Sequence, residues 1–501
     1  MKFRVIDGFG AVSKPPHETL VLLRRNSWDD FTFKTSFEAE LLRPVGDPVD
    51  LGLVKILRAG QRTGPTTFEA NEFEALGSDY CSLGQDIEFY EKLTALAEEE
   101  RVVFLRSIRD AATDKEIAAT FEGEEGWNKS LLRFGQAEHT LASASSLFDG
   151  TEPSEGIMFF THRSRELDAE IRFDFDDSDV LPGRCKVLIG YNGVGKTRLL
   201  ADLARATSKV GQSPENHGGS ESLFSAVLAV SYSAFDTFEL PPSAGHTFNG
   251  GGDADHQPVT TYFGYTYCGL RRLENGQASS QLKSIHELTI ELSDAFRLAC
   301  SRDASALNQA LRDLELDPSF GRSGLSLSKW VTVGELPDEE LGMLSAGQKI
   351  VINIIVQLGA HLRNRSLVLI DEPETHLHPS LLAALLRGTQ KLLDGFDSFA
   401  IIATHSPVVL QEVPAKDVQV IERFGSTIRA VDPQLETFGA GLGELTHEAF
   451  GLDNSVSDYR TVIRELAQKL SHDELEQLFP LGLSSQARAL ALRARGASRT
   501  R

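Results

Sequence analysis

A chain of 501 residues with 41% hydrophobic content is long enough for roughly two or three domains and a sizeable core. Its formal charge of −22 argues against coating nucleic acid over the whole surface, while leaving room for local basic patches or a basic partner. The most apolar stretches, such as Ile350 to Leu358, are short and interrupted by Asn353 and Gln357, which excludes a membrane span there.

Met1 to Gly10 lacks the apolar run of a signal peptide, so a cytoplasmic location without membrane partners is expected. Cys81, Cys185, Cys268 and Cys300 show no CxxC pairing, so buried, reduced thiols are expected rather than a disulfide framework or zinc ribbon.

Three regions follow one another. Residues 1–155 open with β-like runs, Thr19 to Leu23, Phe31 to Phe37 and Leu51 to Ile56. Ile87, Tyr90, Leu93 and Leu96, then Val102, Phe104, Leu105 and Ile108, recur at helical spacing, which predicts a small α+β domain, a candidate sensor or docking surface. Residues 156–430 alternate strands and helices, as an α/β nucleotide domain should. Within it, Gly211 to Ser222 and Ser243 to Pro258 read as mobile loops, and a helical insertion is expected at about 270–320. It is too short for a long coiled-coil arm and sustains no heptads. Residues 431–501 predict a short helical tail with Val462, Leu466, Leu470, Leu475 and Leu478 as core candidates and an arginine-rich, solvated end from Ala487.

Gly190-Tyr191-Asn192-Gly193-Val194-Gly195-Lys196-Thr197 satisfies the phosphate-loop pattern, with the apolar run Val187-Leu188-Ile189 before it and helical character after it. Glycines let backbone N–H groups turn inward around phosphates at a helix N-terminus, where the partial positive charge favours an anion. Lys196 is then placed to bridge the terminal phosphates of ATP, and Thr197 to offer its hydroxyl to Mg²⁺.

Downstream, Ser345-Ala346-Gly347-Gln348 precedes a predicted helix, Ile350 to Leu362, and sets a hydroxyl and a glycine N–H at a second helix N-terminus. The strand Leu367 to Ile370 ends in Asp371-Glu372, 26 positions after Ser345 for Asp371. Asp371 suits a Mg²⁺ shell, and Glu372 the polarisation of a water. After the strand Phe399 to Ala403 comes Thr404-His405-Ser406-Pro407. Taken singly, these could be a helix cap, surface charge and a structural histidine.

In this order they resemble an ABC-type ATPase: a phosphate loop, a signature motif with Ala346 where transporters carry glycine, a Walker B motif and a switch histidine. The resemblance implies a P-loop ATPase fold with a helical lid. It also implies catalysis by Glu372, His405 and Lys196, and nucleotide contacts from Gly190, Asn192, Gly193, Gly195, Lys196, Thr197, Ser345, Gly347 and Gln348. Mg²⁺ would be held by Thr197 and Asp371. In that family the signature motif meets the γ-phosphate held by the opposite subunit, so ATP-dependent self-association into a dimer or higher oligomer is expected. His376 and His378 with His405 could suggest a metal site. The better reading is the family's D-loop. The Q-loop is hardest to place: Ser231 to Asp236 stands at the expected position without the usual glutamine, leaving Asp236 or Ser233 for its role.

Asn192 and the string Asp371-Glu372-Pro373-Glu374-Thr375-His376-Leu377-His378-Pro379 are similar to the SMC, RecF and OLD-like branch. OLD-type proteins append a Toprim nuclease, for which the last stretch is too short. The arrangement therefore resembles the ATPase subunits of two-component antiphage systems such as Septu or PARIS. That resemblance implies a separate, nuclease-like effector and a phage-derived trigger. The alternative is a DNA-repair or DNA-maintenance ATPase that clamps DNA directly, which a basic stripe and salt-sensitive binding would favour.

Overall fold

The computed structural model describes residues 1–7, 16–26, 28–149, 158–164, 168–175, 183–208, 224–234, 236–238, 261–262, 264–274, 277–425, 427–450 and 458–499. The two stretches read as mobile loops, Gly211 to Ser222 and Ser243 to Pro258, lie outside these residues.

Alternating apolar residues in the first part of the chain make strands with one buried face, as in Lys2–Asp7, where Phe3 and Val5 point inward. The sheet runs in the order Glu72–Phe73, Lys2–Asp7, Leu20–Arg25, Ser36–Leu42, Val49–Arg58, Tyr80–Gly84. Lys2–Asp7 pairs in parallel with Leu20–Arg25, and the other pairs are antiparallel. Helices Ile87–Thr94, Glu98–Ser107 and Lys115–Phe121 add Tyr90, Phe104 and Phe121 to the same core. Asp86 caps the first of these helices and Asp114 the third. Val102, expected inside, is exposed, whereas Phe104, Leu105 and Ile108 are buried.

The second unit is built on an eight-stranded sheet. Its order is Thr261–Tyr262, Tyr265–Gly269, Val227–Ser231, Leu367–Asp371, Phe399–Thr404, Cys185–Ile189, Val418–Phe424, Thr427–Val431. Pairing is parallel from Tyr265–Gly269 through to Val418–Phe424, with antiparallel pairs at both edges. Cys185–Ile189, Val227–Ser231, Leu367–Asp371 and Phe399–Thr404 are buried along their full length. That explains their unbroken apolar runs, because a parallel sheet is covered on both faces. Helix Lys196–Ser208 and the hairpin Met158–Ser164/Ala169–Phe175 pack on one face. Helices Ile285–Glu315, Ala346–His361 and Pro379–Gly395 pack on the other.

The helical insertion extends further than expected. It opens with the hairpin Arg271–Glu274/Gln277–Leu282 and continues through Ile285–Glu315, Pro318–Ser323, Leu327–Val333 and Asp338–Met343. The long helix is broken at Asp303 (φ −149°, ψ 82°), whose carboxylate accepts from the Ala306 N–H and caps the second half.

The two units are joined by side chains of each. Phe134 lies in the core beneath helix Lys196–Ser208, and Trp28 packs against that core. Glu88 is paired with Arg363, and Arg302 stands 4.0 Å from the same carboxylate. Burial pushes the Glu88 carboxyl up, but Arg363, Lys92 and Arg302 outweigh it and hold it down to about 2.

In the C-terminal helices Asp458–Lys469, His472–Gln477 and Ser485–Arg499, the core is Ile463, Ala467, Leu475, Leu483, Ala487 and Ala491. Leu466 and Leu470 pack against it. Val462 and Leu478, expected inside, are 50% and 55% exposed. The buried face is the one through Ile463, Ala467 and Leu470, and Val462 is rotated about 100° from Ile463.

Candidate functional site

Parallel register brings the site together. Ile189 pairs with Thr404, Asp371 with Ala403, and Ser231 with Asp371, so four strands end along one edge of the sheet. The strand Phe399–Thr404 lies between the one that feeds the 190–197 loop and the one that ends in Asp371. That edge is where an open parallel sheet places its ligand crevice.

The 190–197 loop turns back on itself before helix Lys196–Ser208. Gly193 (φ +81°) and Gly195 (φ +109°) adopt left-handed backbone that a side chain would strain. Tyr191, Asn192 and Gly193 are exposed, while Lys196 is only 4% exposed. The Lys196 Nζ donates to the Gly190 carbonyl at 2.9 Å and the Tyr191 carbonyl at 3.2 Å, so the ammonium is drawn into the loop. Desolvation lowers the Lys196 pKa, against the opposing pull of Glu372, Asp371 and Glu374.

Thr197 Oγ1 donates to Asp371 Oδ1 at 3.1 Å. Asp371 is 3% exposed, and burial pushes its carboxyl up to about 7, helped by Glu372 and Asp236 and opposed by Thr197 and Lys196. Two oxygen donors so close, on a helix N-terminus and a strand end, fit two positions of a hard cation's shell. Glu372 follows with its backbone in the left-handed region (φ +45°). Such a conformation costs on the order of 1–3 kcal/mol for a residue with a side chain and persists where surroundings impose it. Here the Glu372 N–H is held by the Ala403 carbonyl at 2.8 Å.

His405 Nδ1 stands 3.0 Å from Glu374 Oε1 and 3.8 Å from Glu372 Oε1. The Glu374 carboxylate beside the ring raises the His405 pKa, against desolvation. Sequence reasoning gave Glu374 no role. The signal that could have found it is the carboxylate two positions after Glu372 in a loop that must pass the end of strand Phe399–Thr404.

Ser345 is the N-cap of helix Ala346–His361, which therefore begins four residues before the expected Ile350. Ser345 Oγ accepts from the Gln348 N–H, and Gln348 Oε1 accepts from the Ser345 N–H at 2.8 Å, a reciprocal capping box. The Gln348 amide also donates to the Ser319 carbonyl, so this buried side chain is held within its own fold. Ser345 is exposed. The nearest neighbours of a Cβ placed on Gly347 are His376, Leu377 and Leu381, rather than the 190–197 loop. Within one chain, then, Gly347 lies against the 373–379 loop and helix Pro379–Gly395.

Asp236, one of the two residues considered for the Q-loop, is buried and committed to Arg271 at 2.7 Å and to the Tyr267 hydroxyl at 2.7 Å. Ser233 is half-buried, and Phe235 lies outside the described residues. His378 caps helix Pro379–Gly395 through the Ser380 N–H, and His376 is exposed with φ +68°. No group of three or more His, Cys, Asp or Glu that could hold a metal ion occurs among the described residues.

Residues 273–411 match the family "AAA domain, putative AbiEii toxin, Type IV TA system", a span that includes Ser345, Asp371, Glu372 and His405. The chain is 30% identical over 513 residues to protein ea59 of Escherichia phage lambda, an alignment spanning 95% of this chain and 94% of that protein. It belongs to the family of protein ea59. A shorter stretch is 29% identical over 108 residues to the "Retron Vc95 probable ATPase" of Vibrio cholerae serotype O1 biovar El Tor, covering 19% of this chain and 20% of that protein. The chain thus carries an AAA-type ATPase domain. No described helix is long and apolar enough to cross a membrane.

Proposed function

We propose that this protein binds and hydrolyses ATP as a nucleotide-sandwich dimer and uses that cycle to control a separate effector protein, nuclease-like in type, in antiphage defence. The observation that carries the proposal is the single sheet edge on which Thr197, Asp371, Glu372 and His405 converge beside Lys196. Phosphate oxygens would displace the Gly190 and Tyr191 carbonyls as partners of the Lys196 ammonium. The N–H groups of the 190–197 loop and the start of helix Lys196–Ser208 would hold the remaining phosphate charge. Mg²⁺ would be held by Thr197 and Asp371 and would neutralise charge on the phosphates. Glu372, 30% exposed in its side chain, is placed to accept a proton from an attacking water, and His405 to meet the terminal phosphate.

The exposed Ser345 supports the dimeric part of the reading, because the neighbours of the adjacent Gly347 are His376, Leu377 and Leu381 rather than the chain's own phosphate loop. The likeness to a retron ATPase supports the link to defence.

The test is ATP turnover by the wild type and by Glu372→Gln, with the mass of the assembly measured with and without ATP. The proposal expects turnover to fall at least about 100-fold in the variant, with ATP retained and a two-chain species accumulating. Unchanged turnover removes Glu372 from its role, and a single-chain mass with ATP bound removes the dimer. Co-purification with the products of neighbouring genes tests the effector, and a chain that purifies alone and binds duplex DNA on adding ATP supports direct clamping instead.

A further inference from the structure

We infer that Glu374 is a positioning residue for His405, fixing the imidazole so that Nε2 is the nitrogen presented to the terminal phosphate. The inference rests on the ATP-hydrolysing reading above and adds a residue to it.

Two donors converge on one oxygen, and the His405 ring lies against it as a charge contact rather than a third hydrogen bond. Glu374 Oε1 accepts from the Thr404 hydroxyl at 2.8 Å and from the His405 backbone N–H at 2.7 Å, and His405 Nδ1 lies 3.0 Å away. A carboxylate bonded to the histidine's own backbone N–H is held at a fixed place beside its ring, and the 3.0 Å charge contact then favours the rotamer that turns Nδ1 toward it. Thr404 belongs to the clamp as well, because its Oγ1 accepts from the Ser406 N–H at 2.9 Å and so ties down the chain on the far side of His405. Glu374 is 10% exposed in its side chain, whereas His405 is 40% exposed, so the clamp is inside and the ring reaches outward. With Nδ1 buried against the carboxylate, Nε2 is the ring nitrogen turned away from it, toward a ligand. The same logic orients histidines that bind metals or act in hydrolytic triads, where a carboxylate on one nitrogen sets the use of the other.

The groups acting on the ring are Glu374, Glu372 and Lys196. Glu372 Oε1 is 0.8 Å further from Nδ1 than Glu374 Oε1, at 3.8 Å against 3.0 Å. Glu372 makes neither of the other two contacts of the clamp. The division of labour is therefore between a carboxylate that holds the histidine and a neighbour left to act on water. The clamp also ties the 373–379 loop to the end of strand Phe399–Thr404, and this is the loop whose His376 carbonyl would lie 3.2 Å from a Cβ at Gly347.

The test uses the full chain and ATP. Glu374→Ala removes the acceptor. Its kcat is expected to fall at least about tenfold with KM nearly unchanged. Glu374→Gln, which keeps a carbonyl oxygen for the Thr404 hydroxyl and the His405 N–H, should recover most of the loss. In a His405→Ala background the Glu374→Ala change should cost nothing further, since the residue it positions is gone. Losses that multiply in the double variant, or wild-type kcat in Glu374→Ala, overturn the inference. So does loss of ATP affinity in both single variants, which would assign Glu374 to the scaffold. The ¹⁵N signals of the His405 ring give an independent reading: a single Nδ1–H species in the wild type and in Glu374→Gln is expected, and a mixture of tautomers in the wild type overturns the clamp. A wild-type chain that turns over no ATP sinks the hydrolytic reading beneath, whereas the ring signals report the clamp in either case.

Discussion

Thr197 Oγ1 and Asp371 Oδ1 are joined by a 3.1 Å hydrogen bond across 174 positions of sequence, and the parallel register of three adjacent strands is what brings them together. The bond occupies one oxygen of a carboxylate whose pKa burial raises to about 7.

This pair makes the first prediction. Replacing Thr197 or Asp371 by Ala removes one oxygen donor of the two. ATP affinity should then lose most of its dependence on Mg²⁺, with binding in excess chelator close to that of the wild type. Titrations of a fluorescent ATP analogue with and without Mg²⁺ check it, and an undiminished Mg²⁺ effect in both variants would place the cation elsewhere.

Lys196 gives the second. Its ammonium is nearly fully buried and bonded to two loop carbonyls. Lys196→Ala should weaken ATP binding by at least about 100-fold, the loss of charge-assisted hydrogen bonds worth roughly 2–3 kcal/mol. The ligand-free fold should survive, because the variant also removes a buried charge that desolvation disfavours. Calorimetric titration and a melting curve separate the two effects, and retained affinity would count against the whole site.

A third prediction concerns the loop's first residue. A Cβ on Gly190 would stand 2.5 Å from the Ile421 carbonyl oxygen, a backbone atom of the neighbouring strand that has little room to move. Gly190→Ala should cost about 1–3 kcal/mol and lower the melting temperature. Gly342→Ala, where nothing lies within 4 Å, should be neutral or slightly stabilising, since alanine suits a helix better. Equal melting temperatures for the two variants would contradict the packing seen at Gly190.

Asp110 supplies a pH dependence far from the nucleotide site. Burial raises its carboxyl to about 6, although Tyr90, Thr113 and the Ala112 N–H donate to it. Between about pH 4 and pH 6 the unfolded chain ionises this group while the folded chain keeps its proton. Its contribution to stability is thus full below pH 4 and declines as pH rises to 6, by on the order of 3 kcal/mol. Asp110→Asn should remove that slope. Urea midpoints at pH 4, 5, 6 and 7 for both proteins check the difference, and parallel curves would show that Asp110 ionises normally.

How far the site could be read in advance differs residue by residue. The 190–197 loop is legible because its chemistry is local: glycines with positive φ, a lysine and a threonine are consecutive, between an apolar run and a helix. Ser345 is legible as a cap for the same reason, but its Gln348 partner is not separable from a ligand contact until the Ser319 carbonyl is seen against it. Val462 and Leu478 show the limit of periodicity: a helix of small, mixed polarity offers two adjacent faces, and only packing against Ser485–Arg499 selects the one through Ile463 and Ala467.

By itself, then, the sequence determines which segments are strands buried on both faces, where the backbone must turn around an anion, and which carboxylates end a strand. The tertiary structure alone decides that Phe399–Thr404 lies between Cys185–Ile189 and Leu367–Asp371, and so that Glu374 rather than Glu372 holds His405. The reason is physical. Backbone conformation and amphipathic pattern are set by neighbours a few residues away, whereas a 3 Å contact between loops depends on the order and register of strands. That order is set by the packing of the layers on its two faces, drawn from the whole length of the domain.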